Sequence, residues 1–288
     1  MQTKRSTTAL PAIPVLFAPA MVAPVTGFSP SAGKPVQVLE SWGRLGIPLR
    51  VIAPEPVSRD EIARAHDPAY VDGILAGRLR NGFGDTSAEV AASLPHTSGA
   101  MLAAAREALR NGAVAVAPCS GFHHASYDSA FGYCTFNGLL VAALALHAAG
   151  EVRRMGILDF DQHHGDGTDD IIARLHIDWI VHHSEGREYR CEDDAAPFLA
   201  RIPAIVETMR ACDVMLYQAG ADPHVDDPLG GWLTTAQLFE RDRRVFEATR
   251  SAGVPVAWNL AGGYQTPLRK VLDIHDNTMR VCWAVYST

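Results

Sequence analysis

Short apolar runs alternate with helical segments along most of the 288-residue chain. Continuously apolar runs of this length are typical of strands that are buried on both faces of a parallel sheet. Strands are predicted at residues 13–17, 49–53, 113–117, 155–160, 179–183, 213–218 and 254–260. The alternation predicts an α/β fold with a mostly parallel central sheet, covered by helices on both faces in three αβα layers.

Local signals mark several helix ends. The alanine-rich run 95–110 predicts a helix that ends at Gly112, and the run 81–90 before it predicts a loop. Thr234 and Gln237 have the spacing of a capping box, which predicts the start of a long helix.

Composition favours one soluble globular domain over residues 1–288, with 48% hydrophobic residues and a net charge of −7. The chain has no lysine or arginine cluster of the kind that binds nucleic acid or an anionic membrane. No apolar run reaches the roughly 18 residues of a membrane span. The five cysteines are scattered without a CxxC pair, which favours reduced thiols in the cytoplasm. A homo-oligomer stays open.

Four polar clusters follow predicted strands. They are GFHHA, DFDQHHGDG, AGADPHVDDPLGG and AGGY, at residues 121–125, 159–167, 219–231 and 261–264. In open α/β sheets, ligands bind beyond the carboxyl ends of the strands. If the sheet is parallel, all four clusters should therefore meet at one edge, around a shared cavity.

Side chains within these clusters are suitable metal ligands. Asp159, Asp161 and His163 alternate in sequence, so in extended backbone they point roughly the same way. Imidazole nitrogen and carboxylate oxygen both bind zinc, and three protein ligands leave one coordination position open, as a catalytic zinc requires. Asp161 and His163 are two candidate ligands, and Asp222, at another strand end, is the natural third.

The adjacent His123 and His124 need a separate explanation. At a sheet end they could be metal ligands, proton carriers or satisfied polar groups. Asp159 and Asp166 are the carboxylates that could orient them.

A glycine pair precedes a tyrosine in the last cluster. Gly262 and Gly263 would let the backbone approach a bound ligand, and the hydroxyl of Tyr264 could donate to a developing oxyanion. An ordinary surface turn is the alternative interpretation of this tyrosine.

Six motifs together resemble the zinc-dependent histone deacetylase superfamily, which includes acetylpolyamine amidohydrolases. They occur in the family order: AHDPAYVDGIL (65–75), GFHHA, FGYCTFNG (131–138), DFDQHHGDGT (159–168), GADPHVDDPLG (220–230) and AGGY. The resemblance implies the arginase–deacetylase fold and the hydrolysis of an acylated amine, such as an acyl-lysine or a small-molecule amide.

The resemblance also implies a cofactor set. Asp161, His163 and Asp222 are implied as the ligands of one Zn²⁺ per chain. A structural K⁺ is implied beside Asp159 and Asp161.

Catalytic roles follow from the same resemblance. His124, paired with Asp166, is implied as the general base and then the general acid. His123, paired with Asp159, is implied as its electrostatic partner. Tyr264 is implied as the donor that polarises the carbonyl.

The substrate pocket is less well defined. Gly132 and Tyr133 stand where relatives have an aromatic wall of the acyl-lysine tunnel, although Tyr133 could instead be core packing. Tyr189 is the nearest match to a second tunnel aromatic. Many relatives have an arginine near the N-terminus, and Gln37 stands where it is expected.

Two other functions stay open. One is a two-manganese ureohydrolase like arginase, which shares the fold but lacks the paired histidines and the GGY tyrosine. The other is a non-catalytic protein of the same fold that only binds its ligand.

Overall fold

The computed structural model describes residues 9–24, 27–186 and 191–288. Within these ranges, seven strands form the centre of the molecule: β1 Ile13–Leu16, β2 Leu49–Ile52, β3 Val114–Val116, β4 Met155–Asp159, β5 Ile180–Ser184, β6 Val214–Gln218 and β7 Val256–Asn259. They pair in the order β2-β1-β3-β7-β6-β4-β5. Each pairing is parallel, so the predicted parallel sheet is confirmed.

Nine α-helices surround the sheet in the same described ranges: α1 Lys34–Trp42, α2 Arg59–Ile62, α3 Pro68–Leu75, α4 Ala88–Asn111, α5 Gly138–Ala148, α6 Asp166–Arg174, α7 Ala195–Glu207, α8 Thr235–Ala252 and α9 Arg269–Tyr286. The sequence pattern did not predict α1. None of the helices in the described part of the chain combines the length and apolar character that crossing a bilayer requires.

The sheet separates two hydrophobic cores. On one face, Tyr217 and Trp258 pack with residues of α1, α7, α8 and α9. On the other face, the neighbouring residues Leu216 and Ala257 pack with residues of α3, α4, α5 and α6. Because successive side chains of a strand point to opposite faces, apolar strands of this kind bury both sides of the sheet. The predicted three-layer architecture is therefore confirmed.

Helix α4 begins earlier than the sequence predicted. The hydroxyl of Ser87 accepts a hydrogen bond from the backbone of Val90 at 3.2 Å, which caps the helix there. Pro95 lies inside the helix, so the loop predicted over 81–90 ends too late. The predicted end is confirmed, since Gly112 has a φ of 68° and closes the helix in the left-handed conformation.

Candidate active site

Four neighbouring strands, in the order β3-β7-β6-β4, carry the polar clusters at their carboxyl ends. Because the strands are parallel, the segments that follow them meet at one edge of the sheet. Asp161 follows β4, Asp222 follows β6, and Gly262 follows β7. The residues predicted from the strand ends are thus brought together in space.

The most concentrated group at this edge consists of Asp161, His163 and Asp222, whose ligand atoms lie within 4.8 Å of one another. The Nδ1 atom of His163 lies 3.2 Å from Oδ1 of Asp161 and 3.2 Å from Oδ2 of Asp222. Both carboxylates are buried, whereas the imidazole is partly exposed. Two buried acids beside one accessible imidazole form a donor set that suits a divalent cation.

Gly262 approaches this group closely. A β-carbon built on Gly262 would lie 2.2 Å from Oδ2 of Asp222 and 2.8 Å from Oδ2 of Asp161. The backbone N–H of Gly262 donates to that Asp161 oxygen at 2.8 Å. Any larger residue at position 262 would therefore fill the space between the two carboxylates, where a metal ion would be held.

The charges of these three side chains depend on one another. Burial and the negative charge of Asp161 raise the pKa of Asp222. Hydrogen bonds to Asp161 and Asp222 raise the pKa of His163 to about 10. Both directions indicate that the two carboxylates stabilise a positive charge between them.

The two adjacent histidines each pair with a carboxylate through Nδ1. His123 lies 2.8 Å from Asp159, and His124 lies 2.6 Å from Asp166. The ring centroids of the two histidines are 4.1 Å apart. The first pair is buried, whereas Asp166 is half exposed. Because both rings use Nδ1 for the carboxylate, Nε2 is left for other chemistry.

The two imidazoles differ in charge state. Burial lowers the pKa of His123, but the charges of Asp159 and Asp161 outweigh it and raise the pKa to about 9. Burial lowers the pKa of His124, and the nearby His123 lowers it further. At neutral pH, His124 is therefore the member of the pair that can accept a proton.

Aromatic side chains pack around Tyr264. Tyr264 is largely buried, and its ring stacks on Phe28 at 5.9 Å and contacts Tyr133 at 5.6 Å. Phe83 contacts Tyr133 at 5.9 Å. Burial and the charges of Asp222 and neighbouring acids raise the pKa of Tyr264, so its hydroxyl stays protonated and able to donate.

Gly132 leaves room for the imidazole ring of His124. It has a φ of +54°, and a β-carbon there would lie 2.5 Å from Cδ2 of His124. Tyr133 follows it with a φ of 63°, and its ring contacts those of Phe83 and Tyr264. Tyr189, the match to a second tunnel aromatic, lies outside the described residues.

A buried lysine at the site was missed by sequence reasoning. The amine of Lys34, on α1, donates to the carbonyl oxygens of Ala261 at 2.9 Å and Gly262 at 3.4 Å. Burial lowers the pKa of Lys34 to about 8, against the opposing effect of Asp222 and other acids. Gln37, which stands where relatives have an arginine, donates to the carbonyl oxygen of Gly33, the residue before α1, at 3.5 Å. Lys34, three residues earlier, places a positive charge at this loop, and no sequence pattern predicted that contact.

A second missed residue supports the histidine loop from behind. His66 is buried, and its Nδ1 donates to the carbonyl of Ser126 at 2.9 Å, while its Nε2 accepts from the backbone of Asn137 at 2.8 Å. The Asn137 side chain in turn donates to Ala125, directly after His124. Both residues fall inside motifs identified in the sequence, but without a predicted role.

Comparison with known proteins gives consistent results. A family model described as the histone deacetylase domain matches residues 34–202. Acetylpolyamine amidohydrolase 1 of Pseudomonas aeruginosa is 32% identical, over 74% of this chain and 80% of that protein. A probable deacetylase of Methanothermobacter thermautotrophicus is 27% identical, over 83% of this chain and 81% of that protein.

The fold has a similar solved structure. The crystal structure of the HDA15 HD domain matches with a TM-score of 0.76 and 20% identity, over 96% of this chain and 90% of that chain. At this identity the match concerns the fold, and the sequence matches carry the relationship itself.

Proposed function

The chain belongs to the histone deacetylase family, and from that premise we propose that it is a zinc-dependent amidohydrolase. The proposed reaction removes an acyl group such as acetyl from a lysine side chain, a polyamine or another small amine. Family membership supports deacetylase activity in general. Similarity to an acetylpolyamine amidohydrolase supports a small acylated amine as the substrate.

One observation carries the proposal: Asp161, His163 and Asp222 converge within 4.8 Å beside two carboxylate-paired imidazoles. These three residues would hold the zinc ion, and the space that Gly262 leaves between the carboxylates fits such an ion. When bound, zinc would supply a Lewis acid that polarises the amide carbonyl and lowers the pKa of a water molecule.

Proton transfer is assigned to His124. Its Nδ1 is bonded to Asp166, so the neutral ring has its lone pair on Nε2 and can accept a proton from the attacking water. The oxygen of that water bonds to the amide carbon. His124 then returns the proton to the departing nitrogen as the C–N bond breaks, which yields a carboxylic acid and a free amine. His123, held by the buried Asp159, supplies charge beside this transfer.

Tyr264 is assigned to the oxyanion. Its hydroxyl stays protonated near the site and can donate a hydrogen bond to the oxygen that gains negative charge during attack. The backbone N–H of Tyr264 donates to Asp227 at 2.8 Å, which anchors the residue. The monovalent cation beside Asp159 and Asp161 and the cytoplasmic location remain predictions.

The test is turnover of the zinc-loaded chain on an acetyl-lysine peptide, an acetylated polyamine and a longer acyl amide. We expect release of free amine from at least one substrate, loss of activity with a chelator and recovery with zinc. Metal analysis should give one zinc per chain, whereas two manganese ions would indicate an arginase-like enzyme.

The variant Tyr264→Phe sharpens the test. Loss of one oxyanion donor typically costs about 10²–10³ in rate, and the phenyl ring keeps the stack on Phe28. The control is Tyr286→Phe, which removes a buried hydroxyl that bonds to Thr249 between α9 and α8. Activity on no substrate would favour a ligand-binding protein, and normal turnover of Tyr264→Phe would remove Tyr264 from the mechanism.

A further inference from the structure

Three candidate metal ligands lie on two separate segments, one after β4 and one after β6. We propose that Arg241 is a positioning residue that holds these two segments in register and thereby sets the affinity of the site for zinc. This inference rests on the proposed function, because it concerns the same metal centre.

The contacts of Arg241 reach both segments at once. It lies on α8 and is completely buried. Its Nη1 donates to the carbonyl oxygen of Phe160 at 3.1 Å and to that of Gly220 at 2.7 Å. Phe160 directly precedes Asp161, and Gly220 is two residues before Asp222. One guanidinium nitrogen therefore joins the backbones that carry two candidate ligands.

The sheet cannot join these segments by itself. The β4–β6 pairing ends at Asp159 and Gln218, and the backbone N–H of Phe160 makes one further bond, to Gln218 at 3.1 Å. Beyond this point the backbone N–H of Gln162 donates to the side chain of Asp222 at 3.2 Å, and Arg241 joins the carbonyl oxygens of Phe160 and Gly220. The guanidinium thus extends the connection past the end of the strands.

The guanidinium is itself held in place. Its Nε donates to Asp242 at 2.8 Å, and Asp242 also accepts hydrogen bonds from the hydroxyls of Tyr217 on β6 and Thr278 on α9. Three elements therefore determine where the planar guanidinium lies. A group fixed in this way can transmit its geometry to the carbonyls it contacts.

Stability alone is a poor explanation for this residue. A buried ion pair contributes little net stability because desolvation offsets its attraction. In addition, Nη2 of Arg241 is buried without a hydrogen-bond partner among the residues that the structure describes. A buried, unpaired donor costs free energy. The contacts of the guanidinium with the two ligand-bearing segments therefore explain its burial better than net stability does.

The experiment compares Arg241→Met and Arg241→Lys with the parent chain by zinc competition against a chromogenic chelator. We expect zinc affinity to fall about 10–100-fold in Arg241→Met, the usual effect of losing an outer partner of a metal site. Arg241→Lys should recover part of the affinity, since one ammonium can keep some of the contacts. At saturating zinc, kcat should recover most of the way, and KM should stay unchanged.

Arg244→Met is the matched control. Arg244 lies on the same helix, is partly exposed and contacts Glu240 and the carbonyl of Leu199, so its loss should leave zinc affinity unchanged. Unaltered zinc affinity in a folded Arg241→Met would overturn the inference. If that variant does not fold, Arg241→Lys decides, and failure of both to fold would assign Arg241 to folding as a whole.

The two proposals fail in different ways. A parent chain that binds no zinc and hydrolyses none of the substrates would contradict the proposed function. A parent chain that does both, with equal zinc affinity in the folded Arg241 variants, would contradict only the positioning role.

Discussion

In the floor of the site, Asp161 and Asp222 are 4% and 0% exposed, whereas at the rim Phe28 and Phe131 are 57% and 65% exposed. The floor consists of the candidate metal ligands and the two paired histidines, namely His123, His124, Asp161, His163 and Asp222. The rim is the set of aromatic rings next to Tyr264 and His124, namely Phe28, Phe83, Phe131 and Tyr133.

The two regions are held together by different forces. Floor groups are joined by hydrogen bonds from several strand ends, such as Gly262 to Asp161 and Gln162 to Asp222. Rim groups meet mainly through ring contacts, such as Phe83 with Tyr133, and such contacts contribute about 0.5–1.5 kcal/mol each. The floor is therefore held by directional bonds, whereas the rim can change with little loss of structure, so in the proposed function we expect the rim to adjust which substrate enters.

The largest effect is expected from the floor variant Asp222→Asn. It removes a charged ligand, so zinc binding and turnover should be lost together. Without metal, the variant should be at least as stable as the parent, because one of two mutually repelling buried carboxylates is gone. Metal analysis, turnover and thermal unfolding with chelator present measure all three. Retention of stoichiometric zinc would contradict the ligand assignment.

The histidine pair should separate rate from stability. His124→Ala is expected to reduce kcat by about 10²–10⁴, the range for a general acid–base group. His123→Ala should destabilise the fold by about 3–5 kcal/mol, because it leaves the buried Asp159 without its partner. Turnover at saturating zinc and urea unfolding measure the two effects. A larger loss of stability in His124→Ala than in His123→Ala would break the distinction.

Low pH should destabilise the protein through His66, which supports the histidine loop. His66 is neutral and buried, and burial lowers its pKa to about 4. The unfolded chain, with a histidine pKa near 6.5, binds the proton first as pH falls. The contribution of neutral His66 to the free energy of unfolding is therefore complete above pH about 6.5. It declines by about 3 kcal/mol as pH falls to about 4.

Urea unfolding across this pH range, with chelator present to remove metal effects, measures that decline. His66→Gln should flatten the profile between the two pH values. An unchanged slope in the variant would show that other groups control the acid sensitivity.

The smallest effect is expected at the rim. Phe28→Ala removes one ring from the stack on Tyr264, so KM should change by about two- to tenfold, in line with the value of one aromatic contact. The value of kcat should stay within about threefold. Phe239→Ala, an exposed ring on α8 outside the site, is the control. A loss in kcat comparable to that of His124→Ala would place Phe28 in the floor rather than the rim.

Much of the floor was predictable because its residues follow strand ends directly. Asp161 and His163 come within a few residues of β4, and Asp222 comes soon after β6. Once the strands are parallel, their ends must share an edge. The supports were not predictable, since Lys34 and Arg241 act through contacts with residues far away in the sequence.

The rim shows the same limit. Phe28 stacks on Tyr264 across more than two hundred residues of sequence, and nothing near either residue signals that contact. The segment around Gln37 shows it too. Because α1 was not predicted, nothing in the sequence indicated that Lys34, one turn before Gln37, reaches the carbonyl oxygens of Ala261 and Gly262.

By itself, the sequence determined the alternation of strands and helices, the polar character of the strand ends and hence the parallel three-layer fold. These follow from local periodicity and from the burial of both sheet faces. Tertiary structure alone decided which imidazole is buried, which cation reaches the Gly262 loop and which rings pack around Tyr264. Those outcomes depend on distances between residues remote in the chain, and neither the spacing nor the residue types of one segment encode them.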